Sequence, residues 1–159
     1  MHKVFGIKQN VEYVDREGAY VIVSDGDLIG VVKTPKGYFL LGGGIEGNEN
    51  HRDSIIRECL EEAGLTVEVG KQLCSAETYT QHPQIGWFHP TQTYYEGKVI
   101  SKVSEPFEKD HEFVWIEREK IRGKMLAEMQ NWALERYVEL IGHASSASRE
   151  LGEKKKHPT

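Results

Sequence analysis

Hydrophobic positions change period along the chain, from strand-like runs to a helix, back to strands, and to a second helix. Residues 18–24 (GAYVIVS) are apolar and β-branched, which predicts a buried strand. Asp25-Gly26-Asp27 predicts a hairpin turn, and residues 28–33 (LIGVVK) its returning partner. Pro35-Lys36-Gly37 predicts a second turn, after which residues 38–41 lead into three glycines. A short strand is expected over residues 11–13.

The next stretch turns helical. Asn48 or Asn50 can cap a helix whose first turn is acidic, and Gly64 can stop it. At helical spacing Ile56, Cys59, Leu60 and Ala63 share one face, while Glu58, Glu61 and Glu62 share the opposite one. Beyond it, residues 66–69 and 72–81 read as strands. Residues 86–100 carry Trp87, Phe88, Tyr94 and Tyr95, and Pro90 there predicts an edge or a bulge. Residues 101–110 are polar and acidic, 112–116 (EFVWI) predict a strand, and 118–122 a short helix.

Met125, Met129, Trp132, Ala133, Tyr137 and Leu140 predict a core-facing helix over 125–141, ended by Gly142. Residues 1–142 are therefore expected to form a single domain, and the Ser-rich, then basic residues 143–159 a frayed tail. Strands on either side of a central helix, with a last helix, predict an α/β architecture: a mixed sheet between helices.

Composition narrows the function. The 159 residues suit one domain with its own core. A net charge of −5 gives no global attraction to nucleic acid or anionic membrane. Cys59 and Cys74 make neither a disulfide framework nor a zinc site, and Cys59 is expected as a buried thiol. No apolar run approaches a membrane span, and residues 1–10 lack a signal-peptide core, so a cytoplasmic protein is expected.

The candidate chemistry lies in residues 41–65 (LGGGIEGNENHRDSIIRECLEEAGL). Three carboxylates at i, i+3 and i+4 repel by roughly 0.2–0.5 kcal/mol per pair, so a cation belongs among them. Ligands that are all oxygen favour a hard ion, Mg2+ or Mn2+. Gly42, Gly43 and Gly44 permit positive φ and close backbone approach to that ion or to a phosphate. No Gly-Lys-Ser/Thr follows, so this is not a nucleotide P-loop. By themselves the glutamates also fit the acidic solvated face of an ordinary helix.

The whole string is more specific. From Gly43, five residues lead to Glu49 and seven more to Arg57-Glu58, followed by Cys59, Leu60, Glu61-Glu62, Ala63, Gly64 and Leu65. This resembles the signature of the Nudix hydrolases, the MutT-like family, with Cys59 in an aliphatic slot. Leu41 stands where many members have Pro, and Asn48 where many have Gly.

The resemblance implies an α/β/α sandwich with the box helix on one side of the sheet and the C-terminal helix on the other. It implies Mg2+-dependent hydrolysis of a nucleoside diphosphate linked to another group, by attack of water on phosphorus. It marks Glu58, Glu61, Glu62 and the Gly42 carbonyl as metal ligands, and Arg57 with Glu49 as a brace. The general base is either a box glutamate or an acid of the later loop, where Glu108, Asp110, His111 and Glu112 stand and Glu112 is preferred.

Lys33, Gly43, Gly44, Tyr79 and Trp87 are expected at the substrate, as phosphate or ring contacts. The expected partner is a small nucleotide, with a homodimer left open. The alternatives are a nucleotide-binding module of the same fold without turnover and an RNA 5′-end pyrophosphohydrolase. The intact acids disfavour the first, and the absence of a basic stripe disfavours the second.

Overall fold

The computed structural model of the protein describes residues 1–107 and 109–156, with side chains described as far as Gly142. Among them the chain order is β1 (His2–Phe5), β2 (Val14–Asp25), β3 (Leu28–Thr34), β4 (Gly37–Phe39), β5 (Leu41–Gly44) and α1 (His51–Ala63). Then follow β6 (Leu65–Thr78), β7 (Thr80–His82), β8 (Gly86–Lys102), β9 (Glu112–Glu117), α2 (Arg118–Ile121) and α3 (Glu128–Lys156).

The strands form one mixed sheet in the order β1-β6-β8-β2-β3-β4, with β5 also on β2, β7 on β8 and β9 on β3. Alternation along β2 explains the layers. Ala19, Val21 and Val23 join Ile55, Cys59 and Ala63 of α1 in one core. Tyr20 and Ile22 face the other way, where Ile22 joins Met129, Ala133, Leu134 and Tyr137 of α3. The sheet is thus covered by a helix on each face, the α/β sandwich expected.

Several local expectations are corrected. Residues 11–13 are not a strand; β2 begins at Val14. β1, which no local pattern announces, lies parallel to β6 with His2 beside Ser75 and Phe5 beside Thr78. The two strands expected over residues 66–69 and 72–81 are instead one strand with register shifts, Leu65–Thr78, followed by the short β7.

Pro90 lies inside a strand paired on both sides. Pairing on the β6–β7 side lapses between Glu77↔Thr91 and Thr80↔Phe88, directly opposite Pro90, which has no N–H to give. The last helix does not stop at Gly142 but continues to Lys156. A single helical glycine costs about 1 kcal/mol, which neighbouring good helix formers can outweigh. That helix also begins at Glu128 rather than 125, because Met125 bridges Tyr38 instead.

The glycine run is a strand as well as a bend. Gly42, Gly43 and Gly44 pair with Tyr20, Ala19 and Gly18. Only Gly42 of the three has positive φ, at 139°. A Cβ there would stand 2.3 Å from the Ala19 carbonyl oxygen, so the strand approaches β2 more closely than a side chain allows.

Candidate functional site

The box helix is delimited as its sequence suggests. Asn50 is the cap: its side-chain oxygen accepts from the Asp53 N–H. Gly64 ends the helix in the left-handed conformation. The inward face differs from the expected one. Ile55, Cys59, Glu62 and Ala63 are buried, whereas Ile56 is turned outward.

Glu62 faces inward because β5 offers it a donor. The Gly42 N–H donates to Glu62 Oε1 at 3.0 Å, leaving the residue only 7% exposed. A buried carboxylate needs such a bond. Glu58 is set against the next glycine, where a Cβ on Gly43 would lie 2.6 Å from the Glu58 carboxyl. Burial holds the Glu58 carboxyl above the ordinary carboxylate range, with Arg57 pulling the other way. Two adjacent glycines therefore seat two of the three acids.

Arg57 gathers the rest. Its Nε donates to Glu49 Oε2 at 2.7 Å and Nη2 to Glu49 Oε1 at 3.0 Å, a bidentate pair. Nη2 also donates to the Gly44 carbonyl at 3.1 Å. Nη1 serves Glu58 Oε1 at 3.0 Å and Glu61 Oε2 at 3.1 Å. The guanidinium thus ties the start of the box loop to the helix while drawing Glu58 and Glu61 together. It supplies the positive charge that the acid spacing demands.

Among the described residues no group of three or more His, Cys, Asp or Glu is arranged to hold a metal ion. The donor chemistry nevertheless suits a hard cation. Glu58 and Glu61 share one guanidinium nitrogen, and Glu62 lies on the adjoining glycine strand.

A cavity of about 460 Å3 opens beside Glu62 and Gly42. Its walls are Tyr20, Pro35, Phe39 and Leu40, with Thr34, Lys36, Asp110 and His111 at polar positions. His111 Nδ1 is 3.9 Å from Glu62 Oε2. Burial, reinforced by Glu62 and Glu58, pushes the Tyr20 hydroxyl up to about 12, so it stays protonated. The loop carrying Asp110 and His111 is fastened to α1: Val103 and Ser104 donate to the Gly64 carbonyl, and Phe107 to that of Glu61.

Of the residues expected at the substrate, Gly43 and Gly44 lie beside the acids. Tyr79 and Trp87 do not. They belong to a separate hollow of about 270 Å3 and its rim, where Tyr79 stacks on His89 at 4.3 Å and Tyr13 meets the Tyr79 and Trp87 rings edge-on. Lys33 is exposed, lies across from Glu112 in the β3–β9 ladder and is not part of the cavity wall beside Glu62. Glu112 lines a neighbouring cavity rather than the one at Glu62. Glu108 lies outside the described residues.

Tyr20 and Phe39 were missed as cavity residues. Strand alternation signals Phe39 alone, since its neighbour Tyr38 packs on the α3-side core; Tyr20 and Leu40 belong with that core and line the cavity as well, which alternation does not signal.

Comparison with known proteins agrees with this fold. Residues 14–139 match the NUDIX domain, and the chain belongs to the Nudix hydrolase family. By that membership it is a hydrolase. No curated protein matches it.

Among solved structures it is similar to the MutT protein of Methanosarcina mazei, at 18% identity and a TM-score of 0.66, covering 82% of this chain and 97% of that one. A MutT NUDIX hydrolase of Burkholderia pseudomallei is 22% identical with a TM-score of 0.65, covering 77% and 98%. A UDP-X diphosphatase is 17% identical with a TM-score of 0.63, covering 84% and 66%.

Proposed function

We propose that the protein is a Mg2+- or Mn2+-dependent pyrophosphohydrolase that cleaves the phosphoanhydride of a nucleoside diphosphate linked to another group. The observation that carries this reading is the seating of Glu62 and Glu58 on consecutive glycines, at the edge of a cavity of nucleotide size. Glu58, Glu61, Glu62 and the Gly42 carbonyl would hold the ion. When bound, it would neutralise phosphate charge and make a coordinated water more acidic.

The protein's own groups provide the rest. Arg57 locks Glu49 and the Gly44 carbonyl to the helix, so the acids keep their spacing as phosphate enters. The Gly42 N–H fixes which oxygen of Glu62 faces inward. Tyr20, Phe39 and Leu40 offer apolar surface to a nucleoside, while Lys36 and Asp110 offer one donor and one acceptor edge. A UDP-X diphosphatase among the structural relatives is consistent with a nucleoside diphosphate derivative as substrate.

Product identification tests the reading. Nucleoside triphosphates, nucleoside diphosphate sugars, oxidised nucleotides and dinucleoside polyphosphates are incubated with the protein and Mg2+, with and without chelator. Metal-dependent release of a nucleoside monophosphate is expected. Binding with no cleavage of any member would favour the non-catalytic module instead.

A further inference from the structure

The chain changes pairing partners just before the glycine run. Phe39 ends the β4 ladder opposite Val32, and Leu41 opens the β5 ladder opposite Val21. Leu40 belongs to neither ladder, is fully buried and lines the cavity beside Glu62. A buried backbone N–H at such a crossing needs another acceptor.

Gln130, in the first turn of α3, supplies it. Its Oε1 accepts from the Leu40 N–H at 2.9 Å, ninety positions away in the chain. The Gln130 side chain is itself buried, in a residue only 1% exposed. A backbone N–H can only donate, so the amide oxygen faces Leu40 and the amide nitrogen faces away. That nitrogen donates to Gln92 Oε1 at 3.2 Å, and Gln92 Oε1 also accepts from the Tyr94 hydroxyl at 2.7 Å. The Gln130 amide is thereby held at both ends. Next to it, Asn131 bonds both the N–H and the carbonyl of Met125, and the Leu126 N–H donates to the Tyr38 carbonyl. The start of α3 and the turn before it thus grip β4 and its exit together.

We infer that Gln130 is a positioning residue for the hydrolysis: it sets the path of β5 and with it the place of Gly42 against Glu62. The inference rests on the reading in the preceding section, in which Gly42 and Glu62 hold the ion. The N–H that Gln130 anchors lies two positions before the N–H that seats Glu62. Among the described strands β5 pairs with β2 alone, so the Gln130 bond fixes its entry from the α3 side. An amide that only satisfied Leu40 would alter stability and nothing else. One that places Gly42 also alters the site in molecules that remain folded.

Three variants test this. Gln130→Met removes the acceptor at similar length. Gln130→Asn keeps an amide but withdraws it by one methylene, and serves where the methionine variant does not fold. Gln130→Glu keeps an oxygen for the Leu40 N–H. Amide exchange at Gly42 is measured by NMR, without metal or substrate, relative to exchange at Val23 in the core. Relative exchange at Gly42 is expected at least about tenfold faster in the methionine and asparagine variants, and within about threefold of wild type in the glutamate variant. Turnover with Mg2+, measured well below each melting temperature, is the second readout. In the methionine and asparagine variants kcat is expected to fall at least about tenfold with KM changed less than about threefold, and the glutamate variant to recover most of the loss.

Unchanged relative exchange at Gly42 in both the methionine and asparagine variants would overturn the inference, as would a loss confined to the melting temperature. An equal fall in kcat for the glutamate and methionine variants would also overturn it. Failure of the wild type to cleave any nucleotide would remove the pyrophosphohydrolase reading, and exchange at Gly42 would still decide whether Gln130 places that residue.

Discussion

Gly43 holds the acid cluster in place by having no side chain. A Cβ there would overlap the end of Glu58, which is flexible, rather than backbone, which is not. Gly43→Ala is therefore expected to leave the melting temperature within about 2 °C. The displaced Glu58 is expected to lower kcat/KM on the order of 100-fold. Steady-state kinetics beside a thermal melt separates the two effects. Full activity would show that the position of Glu58 is immaterial.

The residue scale also shows what the chain reveals unaided. Helical spacing alone announced that Glu58, Glu61 and Glu62 stand close together, and the resemblance added Arg57. Neither announced that Glu62 turns inward. That depends on a donor from Gly42, twenty positions earlier, brought there by strand pairing. Tyr79 and Trp87 looked like stacking partners by residue type, and their rings instead pack with Tyr13 and His89. Which aromatic meets the cavity is decided by strand register, and register is a long-range property.

At the scale of elements, two junctions hold the site and its surroundings. The first is Gly64, left-handed at φ +64°, where a Cβ would lie 1.8 Å from the Ser104 carbonyl oxygen. Gly64→Ala is expected to cost at least about 1–2 kcal/mol from the backbone conformation alone. It should also loosen the loop that carries His111, which denaturant unfolding and amide exchange at Val103 and Phe107 would report. An unchanged midpoint and unchanged protection would contradict the role given to this junction.

The second junction is the N-terminal strand. His2 Nε2 donates to Glu77 Oε2 at 2.6 Å, and His89 Nε2 to Glu77 Oε1 at 3.2 Å. The hydrogen bond from His2, and after it the one from His89, holds the Glu77 carboxyl below its usual range against the opposing effect of burial. A carboxylate depressed in the folded state adds stability above its unfolded pKa, near 4.3. That stability is lost as pH falls through the lower folded value. Melting curves of wild type and Glu77→Gln should therefore differ at pH 6 and converge toward pH 3. A difference that persists at low pH would contradict this account.

β1 itself was not legible, because four residues of mixed character become a strand only when β6 is present to pair with them. The same dependence on partners explains Pro90. Its ring is compatible with a central strand here because the neighbouring pairing lapses opposite it.

On the scale of the molecule, one sheet carries two cores, and the acid cluster lies at the α1 side of β5. Among the described residues, α3 gives the core Met129, Ala133, Leu134 and Tyr137. A chain ending at Gly142 is expected to melt within about 2 °C of the full chain and to keep its activity. A large drop would show that residues 143–159 contribute to the fold.

The claim on which the enzyme rests is that Glu62, buried on the Gly42 N–H, together with Glu58 and Glu61, binds a hard divalent ion. Titration of Mn2+ followed by electron paramagnetic resonance, on wild type and Glu62→Gln, measures this without any substrate. The glutamine keeps an oxygen for the Gly42 N–H, so the fold is expected to hold. The account predicts Mn2+ affinity at least about tenfold weaker in the variant; equal affinity in a variant with an unchanged melt would contradict it.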